Sequence, residues 1–179
     1  MLIKNTTKQY GLIAILIHWI MAIFIIGLLA VGLYMVRLPI GLWKLKLYGY
    51  HKEFGALVFL LILLRILWKL VNAAPTLPDH MPNWQKTAAR SVHHALYIVV
   101  FFMPITGWLT SSAAGLSVSF FGLFTLPDLI SANPIWEENL ALAHEVLGFT
   151  LIGLLGLHVG AVFQHYLVFK DNLLRRMWP

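Results

Sequence analysis

No cysteine occurs anywhere in the 179 residues. Disulfides, iron–sulfur ligation and covalent thioether attachment of a prosthetic group are therefore excluded together. Charge is scarce too. Only 11% of residues are charged, with seven acidic against thirteen basic, where a soluble domain carries about 25%. No glycine-rich phosphate loop appears, and no connecting stretch is long enough to fold as a soluble domain. Any chemistry must be built inside the hydrophobic part of the chain or at its two faces.

What is present is hydrocarbon. Hydrophobic residues make up 60% of the chain, and the mean hydropathy is +0.80. A bilayer takes about 20 mostly apolar residues to cross as a helix. Tyr10 to Met35 and Val146 to Phe169 contain no Lys, Arg, Asp or Glu, and neither does Ser91 to Leu126. The stretch around Phe54 to Val71 is interrupted only by Arg65 and Lys69. These runs predict an all-α, integral-membrane four-helix bundle, a single domain with spanning helices over roughly 10–36, 48–71, 88–112 and 138–168. The first run is too long for a signal-peptide core and has no small-residue cleavage site, so it is expected to remain as a helix.

An even number of spans puts both termini on one side. Nine of the thirteen basic residues fall on that side: Lys4, Lys8, Arg65, Lys69, Lys86, Arg90, Lys170, Arg175 and Arg176. Arg37, Lys44, Lys46 and Lys52 fall on the other. Positive residues favour the cytoplasmic side, so both termini are expected there. The basic balance then follows from topology and contact with membrane lipid, and calls for no nucleic acid. The 2–3 connection is punctuated by proline and should be extended, and the 3–4 connection, rich in aromatics, is expected along the outer surface.

Against this background the histidines stand out. His144 and His158 lie fourteen residues apart in the fourth apolar run, nearly four turns, hence on one face and about 21 Å apart. His18 lies at the depth of His158, and His51 at the depth of His144. A single buried histidine is most often a core residue bonded to a neighbour. Four in two transverse pairs suggest a site, because ionisable groups within a membrane are costly. Zinc or a proton relay would want converging carboxylates, yet only Glu53 and Glu145 are near, both at the outer edge. Two neutral imidazoles on facing helices can instead clamp the iron of a flat macrocycle. Gly55 and Gly148 each follow an outer histidine by four residues, one turn along the same face, and would leave room for the edge of such a ring. Glycine also packs membrane helices together, which is the other reading. Arg65 is fourteen residues beyond His51 and would reach either an anionic group at the inner level or the lipid headgroups.

At these residues the chain resembles a known family. The "IHW" of the first helix, "HKEFG" opening the second, the R-x-x-x-K before the proline-rich loop and the P-x-x-G of the third all fit. So does the "HEVLG" to "LLRRM" stretch of the fourth helix and C-terminus. Together, over nearly the whole chain, they look like the prokaryotic cytochrome b561 family, four-helix proteins of the bacterial inner membrane. The resemblance implies two non-covalent b haems with His18, His51, His144 and His158 as axial ligands, electron exchange with ubiquinone, and, in one branch, oxidation of superoxide at the periplasmic face. On that reading, His165 is a candidate quinone contact or an interfacial histidine. His93 is a candidate for a quinone or a haem propionate. Trp19 would pack on the inner ring, Pro104 would kink the third helix, and His80 and His94 would be surface residues. Lys44, Lys46 and Lys52 would steer a small anionic electron donor, or simply meet lipid phosphates. Two other readings remain. The chain could be a membrane anchor relaying electrons from a docked dehydrogenase or hydrogenase, its short loops giving little docking surface. A cofactor-free transporter leaves the histidine pairs unexplained.

Overall fold

The protein, described by a computed structural model over residues 2–77, 81–171 and 173–178, is a bundle of four long helices. These are α1 (Leu12–Met35), α2 (Leu42–Val71), α3 (Asn83–Ala113) and α4 (Pro134–Gln164). The expectation for His80 lies outside the described residues. All four helices are long and apolar enough to cross a membrane, and no more than 11% of the residues in their apolar windows are buried in the protein. That is the distribution a hydrocarbon solvent requires, because lipid-facing side chains gain nothing from turning inward.

Three helices begin earlier than their hydrocarbon portions. α2 opens at Leu42 because the Trp43–Leu47 stretch alternates lysine with apolar residues and continues the helix. α3 opens after Pro82, whose missing N–H costs nothing at a helix start. α4 opens at Pro134, and the Asn133 side chain accepts from the amides of Ile135 and Trp136 at 3.0 and 3.1 Å. Hydropathy marks where the solvent is apolar, whereas capping marks where the helix starts.

Backbone packing is closest between sequence neighbours, α1 on α2, α2 on α3 and α3 on α4. The core draws on all four helices: Met21 and Ile25, Val58 and Ile62, Val99 and Val100, and Leu151. α4 loosens at its end into a π-helical turn, His165–Phe169, and a short 3-10 helix spans Leu174–Met177. The termini meet the 2–3 connection. Asn5 donates to Ala73 O at 3.0 Å, the Thr76 amide donates to Thr7 O at 3.1 Å, and Arg176 donates to Thr76 O at 2.6 Å. This end of the bundle is the terminal face.

The opposite, far face carries the one departure from an all-helical chain among the described residues. The strands β1 (Ser119–Phe120) and β2 (Phe124–Thr125) pair antiparallel, Ser119 opposite Thr125 and Phe120 opposite Phe124. The turn between them needs left-handed backbone at Phe121 (φ 51°) and Gly122 (φ 72°). The Phe121 ring stands 5.2 Å from that of Phe54, edge to face, which seats the hairpin on α2.

Candidate cofactor site

Both sets of histidines meet. On the terminal side, the rings of His18 (α1) and His158 (α4) have centroids 6.2 Å apart and planes at 83°. On the far side, His51 (α2) and His144 (α4) have centroids 6.2 Å apart and planes at 76°. By analogy with zinc, an imidazole–metal bond is roughly 2.0–2.1 Å, and the ring centre lies about 1.1 Å behind its nitrogen. Two imidazoles sharing one iron in line therefore stand about 6.3 Å apart. The same spacing recurs at two levels, on three helices. Among the described residues no group of three or more His, Cys, Asp or Glu converges on a metal position; a facing pair of imidazoles would suit the iron of a macrocycle, which brings its other ligands with it.

The far-side pair is held from behind. His144 Nδ1 donates to Met103 O and to Thr106 Oγ1, both at 3.0 Å, and Thr106 Oγ1 donates to Met103 O at 2.8 Å. A carbonyl can only accept, so Nδ1 carries the proton and Nε2 keeps its lone pair for a metal. His51 Nδ1 is buried without a hydrogen-bond partner among the described residues. Such a nitrogen costs roughly 1–3 kcal/mol, so His51 is held by packing where His144 is held by hydrogen bonds.

Glycines of neighbouring helices back these rings. A Cβ at Gly32 on α1 would lie 3.3 Å from His51 Cε1, and one at Gly107 on α3 would lie 3.0 Å from His144 Cε1. Each far-side histidine thus presses on a bare glycine of a neighbouring helix. Gly148 instead faces the Met103 side chain, with a Cβ 3.3 Å from Cε. Gly55 has open space before it and lines a cavity with His51, His144, Leu29, Val100 and Pro104. The α3 helix runs on through Pro104 and Gly107. A larger cleft of about 440 Å³, lined by Leu109, Trp136 and Leu140 among others, contains no histidine.

The terminal-side pair has a cationic setting. Arg65 Nη1 donates to His18 Nδ1 at 2.9 Å, and Arg65 Nε donates to Tyr97 Oη at 3.1 Å. The Lys69 ammonium sits 4.4 Å from the centre of the Tyr97 ring. Among the described residues no carboxylate pairs with Arg65. As it stands, His18 Nδ1 accepts, so its Nε2 carries the proton. Ligating a metal through Nε2 requires Arg65 to release that ring, and an anionic group beside it would draw the guanidinium away. His93 joins this level, its ring 5.3 Å from that of His158. Trp19 lies 5.6 Å from His18 and donates from Nε1 to Met177 O at 2.6 Å, so the C-terminal segment closes over this end.

The remaining residues lie apart from the pairs. His165 sits at the end of α4, its Nδ1 2.6 Å from Asp171 Oδ2. His94 is exposed on α3. Of the three lysines, Lys46 is exposed, and Lys44 Nζ donates to Leu38 O at 2.9 Å. Lys52 Nζ donates to Ser111 Oγ, Leu116 O and Ser117 O at 3.2, 3.2 and 3.3 Å. Its three protons are thereby occupied; it contributes field but no free donor. Thr106, Tyr97, Gly32 and Asp171 belong to these settings and went unassigned from sequence. The Pro104-x-Thr106-Gly107 run was a visible signal for the first of them.

Comparison with known proteins agrees with this geometry. The family described as prokaryotic cytochrome b561 matches residues 9–179. Cytochrome b561 homolog 2 of Escherichia coli (strain K12) is 33% identical over 175 residues, 97% of this chain and 93% of the relative. Cytochrome b561 homolog 1 of the same organism is 30% identical over 129 residues, 72% of this chain and 73% of the relative.

Proposed function

The chain belongs to the prokaryotic cytochrome b561 family, membrane b-type haem proteins of electron transfer, and we propose that it holds two haems and carries electrons across the bacterial inner membrane to ubiquinone. The observation that supports this most is the recurrence of one imidazole spacing, 6.2 Å, at two levels of the bundle. His51 and His144 would hold the far-side haem, and His18 and His158 the terminal-side one. A haem held between two imidazoles would supply one-electron transfer and leave substrate no place at iron. His144 is kept in the ligating tautomer by Met103 O and Thr106, while Arg65 and Lys69 offer positive charge for propionates.

Both termini lie in the cytoplasm on this reading, with the far face toward the periplasm, consistent with nine basic residues on the terminal side. The outer donor is superoxide, a small anion oxidised to dioxygen. Two superoxide anions, one quinone and two protons give two dioxygen molecules and one quinol. The exposed Lys46, with Lys44 and Lys52, gives the approach to the far-side pair a positive field. At the terminal face, His165 and His93 are the quinone contacts, within reach of a lipid-soluble ring arriving from the bilayer. The test is an optical spectrum of the purified protein in both redox states with haem counted per chain. Two b-type haems per chain, reduced by pulsed superoxide and reoxidised by ubiquinone, are expected; one haem, or none, would refute the reading.

A further inference from the structure

The end of α4 departs from regular helix. At His165 the helix widens into a π-turn, a feature that often marks a functional position. Lys170 then adopts left-handed backbone at φ 53°, and its amide donates to His165 O. The Asp171 amide donates to the same oxygen at 3.2 Å, which brings the chain back over the residue it has just left. The product is a close pair, His165 Nδ1 to Asp171 Oδ2 at 2.6 Å, with side chains only 13% and 11% exposed. Asp171 is itself oriented, its Oδ1 accepting from the Leu173 amide at 3.3 Å. Phe169 covers the imidazole with ring centroids 5.1 Å apart.

An ionised carboxylate only accepts, so His165 Nδ1 must donate to it, and Nε2 is left as the ring's one atom for another partner. We propose that Asp171 is a positioning residue for quinone reduction: by accepting from Nδ1 it fixes the orientation of His165, so that Nε2–H of the doubly protonated ring donates to a quinone carbonyl oxygen. This rests on the terminal-face quinone reading above. Quinone is the oxidant, and the outer one-electron donor is the reductant. Two electrons reach the quinone singly, and each carbonyl oxygen gains one proton. One proton comes from Nε2 of the doubly protonated His165, which is left as the neutral Nδ1–H ring on Asp171 and regains its proton from water at the membrane surface; the second comes from the same surface water. A histidine that must donate and recover a proton works best held in one orientation, the role a carboxylate plays behind catalytic imidazoles elsewhere.

The test uses the haem-loaded protein in lipid nanodiscs with ¹⁵N-labelled histidine. One imidazole, identified by its loss in His165→Ala, should show a protonated Nδ1; Asp171→Asn should scramble that tautomer and Asp171→Glu restore it. Asp171→Asn should retain both haems but reduce a soluble ubiquinone analogue about tenfold more slowly in kcat with little change in KM, and Asp171→Glu should recover to within about threefold. A wild-type kcat in Asp171→Asn despite a lost tautomer would overturn the positioning role. Haem loss in that variant would reassign Asp171 to structure and overturn it as well. A wild-type quinone rate in His165→Ala would instead remove the quinone reading beneath the proposal, even with the His165–Asp171 pair seen intact by NMR.

Discussion

Gly107→Ala places one methyl group against the far-side pair. The new Cβ would lie 3.0 Å from His144 Cε1 and 3.3 Å from Nδ1, whereas carbon contacts are comfortable at roughly 3.5–4.0 Å. The ring must retreat by about 0.5 Å, yet its Nδ1 is tied to Met103 O and Thr106 Oγ1 at 3.0 Å. Overpacking of this kind costs roughly 1–3 kcal/mol, or about a 5- to 150-fold weaker hold on whatever His144 ligates. Alanine also favours the helix by up to about 1 kcal/mol over glycine, so overall stability need not fall; the damage is confined to ring geometry. The assay is haem content with low-temperature EPR, where each bis-histidine centre has its own low-spin signal and the g-values depend on the angle between the two imidazole planes. The far-side signal should shift or vanish while the terminal-side one stays. Gly153→Ala, with nothing within 4 Å of its Cβ, is the control. Two unchanged signals and full haem content in Gly107→Ala would refute the packing argument and the assignment of His144 with it.

Replacing His51 or His144 with alanine should remove one haem and leave the other, and replacing His18 or His158 should do the reverse; a haem indifferent to all four changes would overturn the ligation scheme. Arg65→Met removes a cation beside the terminal-side pair, which favours the reduced state, so that haem's midpoint should fall by roughly 60 mV, equal to about 1.4 kcal/mol for one electron; a redox titration showing no shift would place Arg65 outside the haem's field. Reversing Lys44, Lys46 and Lys52 to glutamate should slow reduction by pulsed superoxide with both haems retained, and added salt should slow the native protein, because such fields are screened over about 8 Å at physiological ionic strength. Equal rates at low salt would discard anion steering and favour a docked protein donor.

The four spans were legible because a lipid solvent writes its demand directly into composition: long apolar runs, with few residues needing burial. The histidine pairs were legible because an interval of fourteen residues preserves helix face, and depth can be counted from each end. What was not legible depends on contacts between helices. Gly55 and Gly148 share a helix with their histidines, and sequence spacing finds only such neighbours; Gly32 and Gly107 reach the same rings from other helices. Lys52 directly follows His51, but one residue is about 100° around a helix, so its ammonium turns toward the α3 end at Ser111 and Leu116. The hairpin escaped because Phe121, a residue that seldom takes left-handed backbone, does so there. Asp171 escaped because a π-turn breaks the 3.6-residue count by which its approach to His165 would be judged.

The place of that π-turn bears on the whole arrangement. α4 supplies one histidine to each pair, and the helix is regular from Pro134 through Gln164. The rise between His144 and His158, about 21 Å, is therefore fixed by one rigid element, while the other members come from α1 and α2, which pack on each other. A single extra residue between the two would turn His158 by about 100° and aim it away from His18. The irregularity begins at His165, only after both rings have been placed. Within α4 the irregularity is thus confined to the terminal end, and the interval between its two histidines is left to unbroken helix.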